Sequence, residues 1–212
     1  MSAWVAALAT VVIVLSYEAW LAFAQRRRPE SLARSAHALL RQDWFAAVSA
    51  QQGSEILAVQ TLRNSVMSAT MSASTALLAL MGTVSLAVPS LHTSFGDEAA
   101  AWPTLTPRLV MELVVLGLLF ASLVSSAMAV RYYNHAGFVG GMPVDSPARQ
   151  RWAAAGADYV RRAGLLYSWG LRQLVLVVPV AAFILHPLAG VVGAVMVVLA
   201  LTQFDRAAAQ SV

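Results

Sequence analysis

Cysteine and lysine are both missing from the 212 residues, and charged side chains make up only 11% of them. Without cysteine there is no disulfide, no thiolate metal site and no thiol nucleophile. Without lysine, all 14 basic residues are arginine. That bias fits a GC-rich bacterial genome, and it also suits bidentate contacts to anions. A soluble domain carries about 25% charged residues. The deficit, together with 59% hydrophobic residues and a mean hydropathy of +0.68, points to a polytopic membrane protein. There is also no glycine-rich phosphate loop, no nucleophile elbow and no pair of carboxylates within one apolar run. The chain is therefore not expected to be an enzyme. His37, His92, His135 and His186 include no i, i+4 pair and divide between the two sides of the membrane, so neither a metal nor another cofactor is expected.

What is present is a set of long apolar runs, one of them unusual. Leu62 to Val88 is long enough to cross a bilayer, which takes ~20 apolar residues, yet its first half is crowded with hydroxyls. Ser65, Ser68, Ser72 and Thr75 step by three, four and three, which puts them on one helical face. Arg63 and Asn64 stand at the mouth of this run. A lipid-facing helix has no use for such a stripe, so it should face other helices or a water-filled path.

The remaining runs give the topology. A first span covers residues 3–24 and is followed by Arg26, Arg27, Arg28 and Pro29. Arginines after the apolar run, not before it, indicate an uncleaved span with its N-terminus outside; Glu18 near its inner end should pair at the interface. Residues 30–61 form a cytoplasmic amphipathic segment, with Trp44 and Phe45 placed to anchor it among headgroups. After the span at 62–88, an acidic loop from Pro89 to Pro107 with Asp97 and Glu98 should lie outside. A third span covers 108–130. A cytoplasmic loop and helix follow at 131–163, with Gly140, Gly141, Pro143 and Pro147 as breakers. The final apolar region is too long for one crossing, and His186-Pro187 divides it into spans at 165–185 and 188–204. Four spans result if this region is instead one kinked helix. Thirteen of the 14 arginines then fall on the inside and only Arg108 outside, a strong positive-inside signal. The expected architecture is an all-α, single-domain membrane bundle of five spans with a cytoplasmic amphipathic helix. Its setting is the bacterial inner (plasma) membrane, with the N-terminus outside and the C-terminus cytoplasmic.

At RNSVMSAT in the second span and RYYNHAGF after the third, the chain resembles a membrane family of bacteria and plants catalogued as domain of unknown function 599. The Arg172 region, Pro179 and the His186-Pro187 break resemble that family's arginine-aromatic-proline and glycine-proline pattern. Ser168, Trp169 and Leu171 depart from it, standing where aromatics near the arginine would be expected. The resemblance covers about Leu57 to Asp205. It implies a multi-span membrane fold and no particular activity.

Four groups of residues could carry a function. Arg63, Asn64, Arg131, Asn134 and His135 share one inner layer if the second and third spans are antiparallel neighbours. They would make an anion or headgroup site there, or else serve as interfacial arginines and helix caps. The hydroxyl stripe could line a path or allow close helix packing, as Gly190 and Ala194 would in the last span. Arg108 and Glu112 can pair one turn apart as a local ion pair or outer gate. Arg172, about two turns inside the fourth span, must be paired, hydrated or snorkelling. The expected function is a homo-oligomeric channel for small ions, anions foremost, with the second span lining the path. The alternatives are a non-catalytic scaffold or lipid-binding subunit and, more weakly, a small transporter. Expected partners are further copies of the chain, a small ion and anionic lipids of the cytoplasmic leaflet, but not nucleic acid.

Overall fold

Helix starts are set by proline and the hydroxyl residue before it. The computed structural model describes residues 2–27, 33–95 and 105–207. Among these residues the chain forms α1 (Ala3–Arg27), α2 (Ala33–Ala50), α3 (Glu55–Phe95), α4 (Pro107–Gly140), α5 (Pro147–Leu185) and α6 (Pro187–Ala207). The Thr106 hydroxyl accepts from the Leu109 N–H at 3.2 Å, capping α4, and the Ser146 hydroxyl does the same for Arg149 in α5. In each case proline follows as the first helical residue, where its missing N–H costs nothing. Between α5 and α6, His186 is extended and its Nδ1 accepts from the Leu188 N–H at 3.3 Å. The His186-Pro187 break is therefore real, and the last apolar region is two helices, not one kinked span.

Five helices, all except α2, are long and apolar enough to cross a membrane. The chain is a multi-pass, all-helical membrane protein. Three of the helices are much longer than the sequence suggests. α3 continues through Pro89 to Phe95, where a loop was expected from Pro89. α4 runs to Gly140, so RYYNHAGF forms its last turns and the loop shrinks to 141–146. The expected helix at 148–162 and the span at 165–185 are one rod. Glycine and arginine at these joints suggested breaks, but tertiary packing keeps each helix going. At ~1.5 Å per residue the 41 residues of α3 reach roughly twice the ~30 Å of a bilayer core. Relative to the expected spans, α4 and α5 extend at the arginine-rich end and α3 extends at both ends. The Arg28-Pro29 stop and the acidic pair Asp97 and Glu98 lie outside the described residues.

Among the described residues the bundle has three buried apolar clusters, the smallest joining Val14, Leu176 and Ala194 of α1, α5 and α6. The projecting half is built on Phe45, Leu62, Tyr133, Ala136, Val139, Ala157 and Val160, from α2, α3, α4 and α5. The spanning half joins α1, α4 and α5 through Ala6, Ala7, Met111, Val115, Leu119, Val180 and Phe183. α2 is amphipathic, as expected, but Ala38 and Phe45 pack onto protein while Leu39 and Leu40 stay exposed. Phe45 is 1% exposed and so does not anchor in headgroups. A Cβ on Gly156 would lie 2.6 Å from Phe45 Cε1 and 2.9 Å from Val139 Cγ1, so only glycine admits this ring. α4 and α5 approach closely in the same way. The Ser122 hydroxyl donates to the Gly170 carbonyl at 2.8 Å, and a Cβ on Gly170 would meet Ser126 Oγ at 2.5 Å. The small pair in α6 also serves packing: Ala194 is fully buried, and a Cβ on Gly190 would meet Phe183 Cβ at 2.5 Å.

Gly156→Val should overpack the projecting half and lower stability by about 1–3 kcal/mol. Thermal unfolding of the purified protein in detergent would show it as a lowered midpoint. An unchanged midpoint would mean that Phe45 does not sit against Gly156.

Candidate functional site

The polar groups of the candidate site are carried by α3 and α4, which lie against each other. The buried stripe of α3 is Ala58, Leu62, Ala69, Ser72 and Ala76, a spacing of three and four that fits one flank to α4. The Ser/Thr stripe straddles the edge of that contact. Ser72 is buried and Ser65 half-buried, while Ser68 and Thr75 are exposed. Ser65, Ser68 and Ser72 each donate to the carbonyl four residues earlier, at 3.1–3.2 Å. These bonds satisfy the hydroxyl protons within the helix and leave lone pairs on the exposed Ser68 oxygen facing outward.

At the arginine-rich end, α3 and α4 enclose a groove of about 290 Å³ lined by Val59, Leu62, Arg63, Val66, Tyr133, Asn134, Gly137 and Phe138. Arg63 and Asn134 thus come together, as the expected shared layer requires. Arg131 is exposed and lies one turn before Asn134 on the same flank of α4. His135 turns the other way: its ring lies 5.7 Å from Tyr159 of α5. Asn64 is exposed beside the groove. So the groove brings Arg63 and Asn134 together, with Arg131 one turn along α4, Asn64 at its edge and His135 in an aromatic cluster with Tyr132 and Tyr159.

Arg108 pairs with Glu112 as expected, and Arg172, for which pairing, hydration and snorkelling were all open, has a carboxylate partner. Arg108 Nε lies 2.9 Å from Glu112 Oε1; the arginine is open and the carboxylate is buried. The other oxygen, Oε2, has no hydrogen-bond partner among the described residues. Arg172 is 7% exposed and holds Asp205 at 3.0 Å. Its Nη1 donates to the Tyr17 hydroxyl at 2.5 Å, and that hydroxyl donates to Asp205 Oδ2 at 2.8 Å. The cluster ties α1, α5 and the end of α6 together. Arg172 is therefore paired inside the protein and does not snorkel to bulk water.

Arg149 was not singled out by the sequence, and it is the more deeply buried arginine at 2% exposure. Its Nη1 donates to the Val139 carbonyl at the end of α4 and to the Met142 carbonyl just beyond it, and its Nη2 to Ser49 Oγ at 3.0 Å. Carbonyls at a helix C-terminus lack intrahelical donors and carry the negative end of the dipole, which suits a cation. Burial pushes this guanidinium below its ordinary pKa, and Glu55 acts in the opposite direction. Nearby, Arg161 and Arg162 hold the Asp158 carboxyl below the usual carboxylate range. The usable signal for Arg149 was its place three residues after the cap Ser146, beside the glycine-rich end of α4. Among the described residues, no group of His, Asp and Glu could hold a metal.

A family model described as "Protein of unknown function, DUF599" matches residues 5–210, and the chain belongs to that family. No curated protein and no solved structure matches the chain.

Breaking the Arg172–Asp205 pair from one side should cost more than removing both charges. Arg172→Met strands a buried carboxylate and should lower stability by about 3–5 kcal/mol. The double variant Arg172→Met/Asp205→Leu should recover most of that. Unfolding in mixed micelles measures both, and a double variant no better than the single would contradict the buried pairing.

Proposed function

We propose that this family member is a homo-oligomeric channel for small anions, with α3 facing the axis between copies. The observation that carries the reading is the outward face of α3. Its most apolar stretch is only 17% buried, because α3 leans on α4 from one side. What it leaves open combines Arg63, Asn64, Ser68, Ser74 and Thr75 with Met67, Met71, Leu78 and Met81. α6 is also little buried, but between Pro187 and Ala200 its sequence has no charged or hydroxyl side chain. Lipid suits α6; it does not suit α3.

The open positions of α3 are also ordered. Residues 67, 71, 74, 78, 81 and 85 step alternately by four and three, the spacing of a helix–helix seam. Five helices enclose little volume, so a path needs several subunits about an axis. In that arrangement the Met/Leu seam joins copies and the Ser68–Thr75 flank wets the path. Arg63, backed by Asn134 and Arg131, sets a positive potential at the cytoplasmic mouth.

A second reading, a scaffold subunit, is favoured by Ile56 and Phe138, each 73% exposed at the projecting end. Apolar groups standing beyond the bilayer suit a partner protein. Planar-bilayer current separates the two readings. The channel should give a reversal potential displaced toward that of chloride under a potassium chloride gradient, and Arg63→Ala should move it toward zero. An unchanged reversal potential removes Arg63 from the path, and a silent bilayer with folded protein favours the scaffold.

A further inference from the structure

The crevice between α5 and α6 has an unusual composition for a lipid-facing groove. It encloses about 210 Å³ and is lined by Ser168, Leu171, Arg172, Val175, Leu201, Phe204 and Asp205. Four of these residues are apolar, and Leu171, Val175 and Phe204 are among the exposed large hydrophobics. The polar floor is the Arg172–Asp205 pair, whose side chains are 7% and 13% exposed. α6 spans from Pro187 to Asp205, which at ~1.5 Å per residue sets Asp205 close to one bilayer-core thickness from the His186 end, at headgroup depth. In a bilayer such a crevice is filled by lipid, so the open question is which headgroup lies over the pair.

We infer that this crevice is a binding site for a zwitterionic phospholipid with a primary ammonium, of the phosphoethanolamine class. An anionic headgroup meets Arg172 but is repelled by Asp205 in contact with it, and a cation meets the reverse. A headgroup carrying both charges matches the dipole of the pair. Arg172 spends one Nη1 N–H on Tyr17 and its Nη2 on Asp205, so its Nε–H and second Nη1 N–H are left to donate to a phosphate oxygen, with the Ser168 hydroxyl one turn away. Asp205 accepts one bond from Tyr17 and two from Arg172, and a carboxylate with about four acceptor sites has room for an ammonium N–H. A quaternary choline ammonium has no N–H to give, which sets it apart. The walls formed by Leu171, Val175, Leu201 and Phe204 receive the acyl chain.

The test is native mass spectrometry of the detergent-purified full-length chain, titrated with phosphatidylethanolamine, phosphatidylglycerol and phosphatidylcholine of matched acyl chains. Wild type should retain phosphatidylethanolamine over the other two by roughly tenfold, the scale of one charge-assisted hydrogen bond. Val175→Trp, which fills the crevice without touching the pair, should abolish that preference. Asp205→Asn keeps an acceptor oxygen but removes the charge, and it should shift the preference to phosphatidylglycerol. Equal retention of the three lipids by wild type would overturn the site. So would a preference that survives both substitutions unchanged.

Discussion

A guanidinium removed from water has to find its partners inside the protein, and this bundle is arranged around two that do. Arg149 closes the end of α4 by donating to the Val139 and Met142 carbonyls and holds α2 through Ser49. Arg172 takes Asp205 and Tyr17, joining α5 to the end of α6 and to α1. One arginine organises the projecting half and the other the spanning half. Both lie on α5, which packs on α4, α6 and α2 and so is the central rod of the molecule. Close approach at Gly156 and Gly170 brings the neighbours near enough for these short polar links to form.

Within that frame α3 is the exception. It contributes Leu62 and Ala69 to the projecting core and leans on α4, but most of its length is open. The hydroxyls of Ser65, Ser68 and Ser72 are satisfied within the helix, so this face is stable in a single copy and still has oxygen acceptors to present. Such a surface suits contact with water or with another copy of the chain better than contact with lipid.

Much of the fold was legible because membrane physics is simple at low resolution. Hydropathy and length mark five crossings, and His186-Pro187 divides α5 from α6. The ion pair of Arg108 with Glu112 follows from i, i+4 spacing. Helix ends were harder to read. The expected ends at residues 88, 130 and 163 are not helix ends, because the packing of neighbouring helices keeps α3, α4 and α5 continuous. Phe45 looked like a headgroup anchor because its receptor, Gly156, is more than a hundred residues away. Arg149 was hidden because its partners, the Val139 and Met142 carbonyls and Ser49, all lie outside its own helix. Of the inner layer, Arg63 and Asn134 were placed together by topology alone. The orientation of His135 toward Tyr159 depends on helix rotation, which no one-dimensional pattern specifies.

The most direct measurement exploits the absence of native cysteine. Single cysteines at Met67, Met71, Ser74, Leu78 and Met81, oxidised in native membranes, would report which face of α3 meets its counterpart in another copy. Disulfide-linked dimers at these positions, and none at Ala69 or Ala76 on the α4 side, are the outcome expected if α3 faces the axis. Absence of cross-links along α3, with efficient cross-linking from Val192 or Met196 on α6, would contradict it.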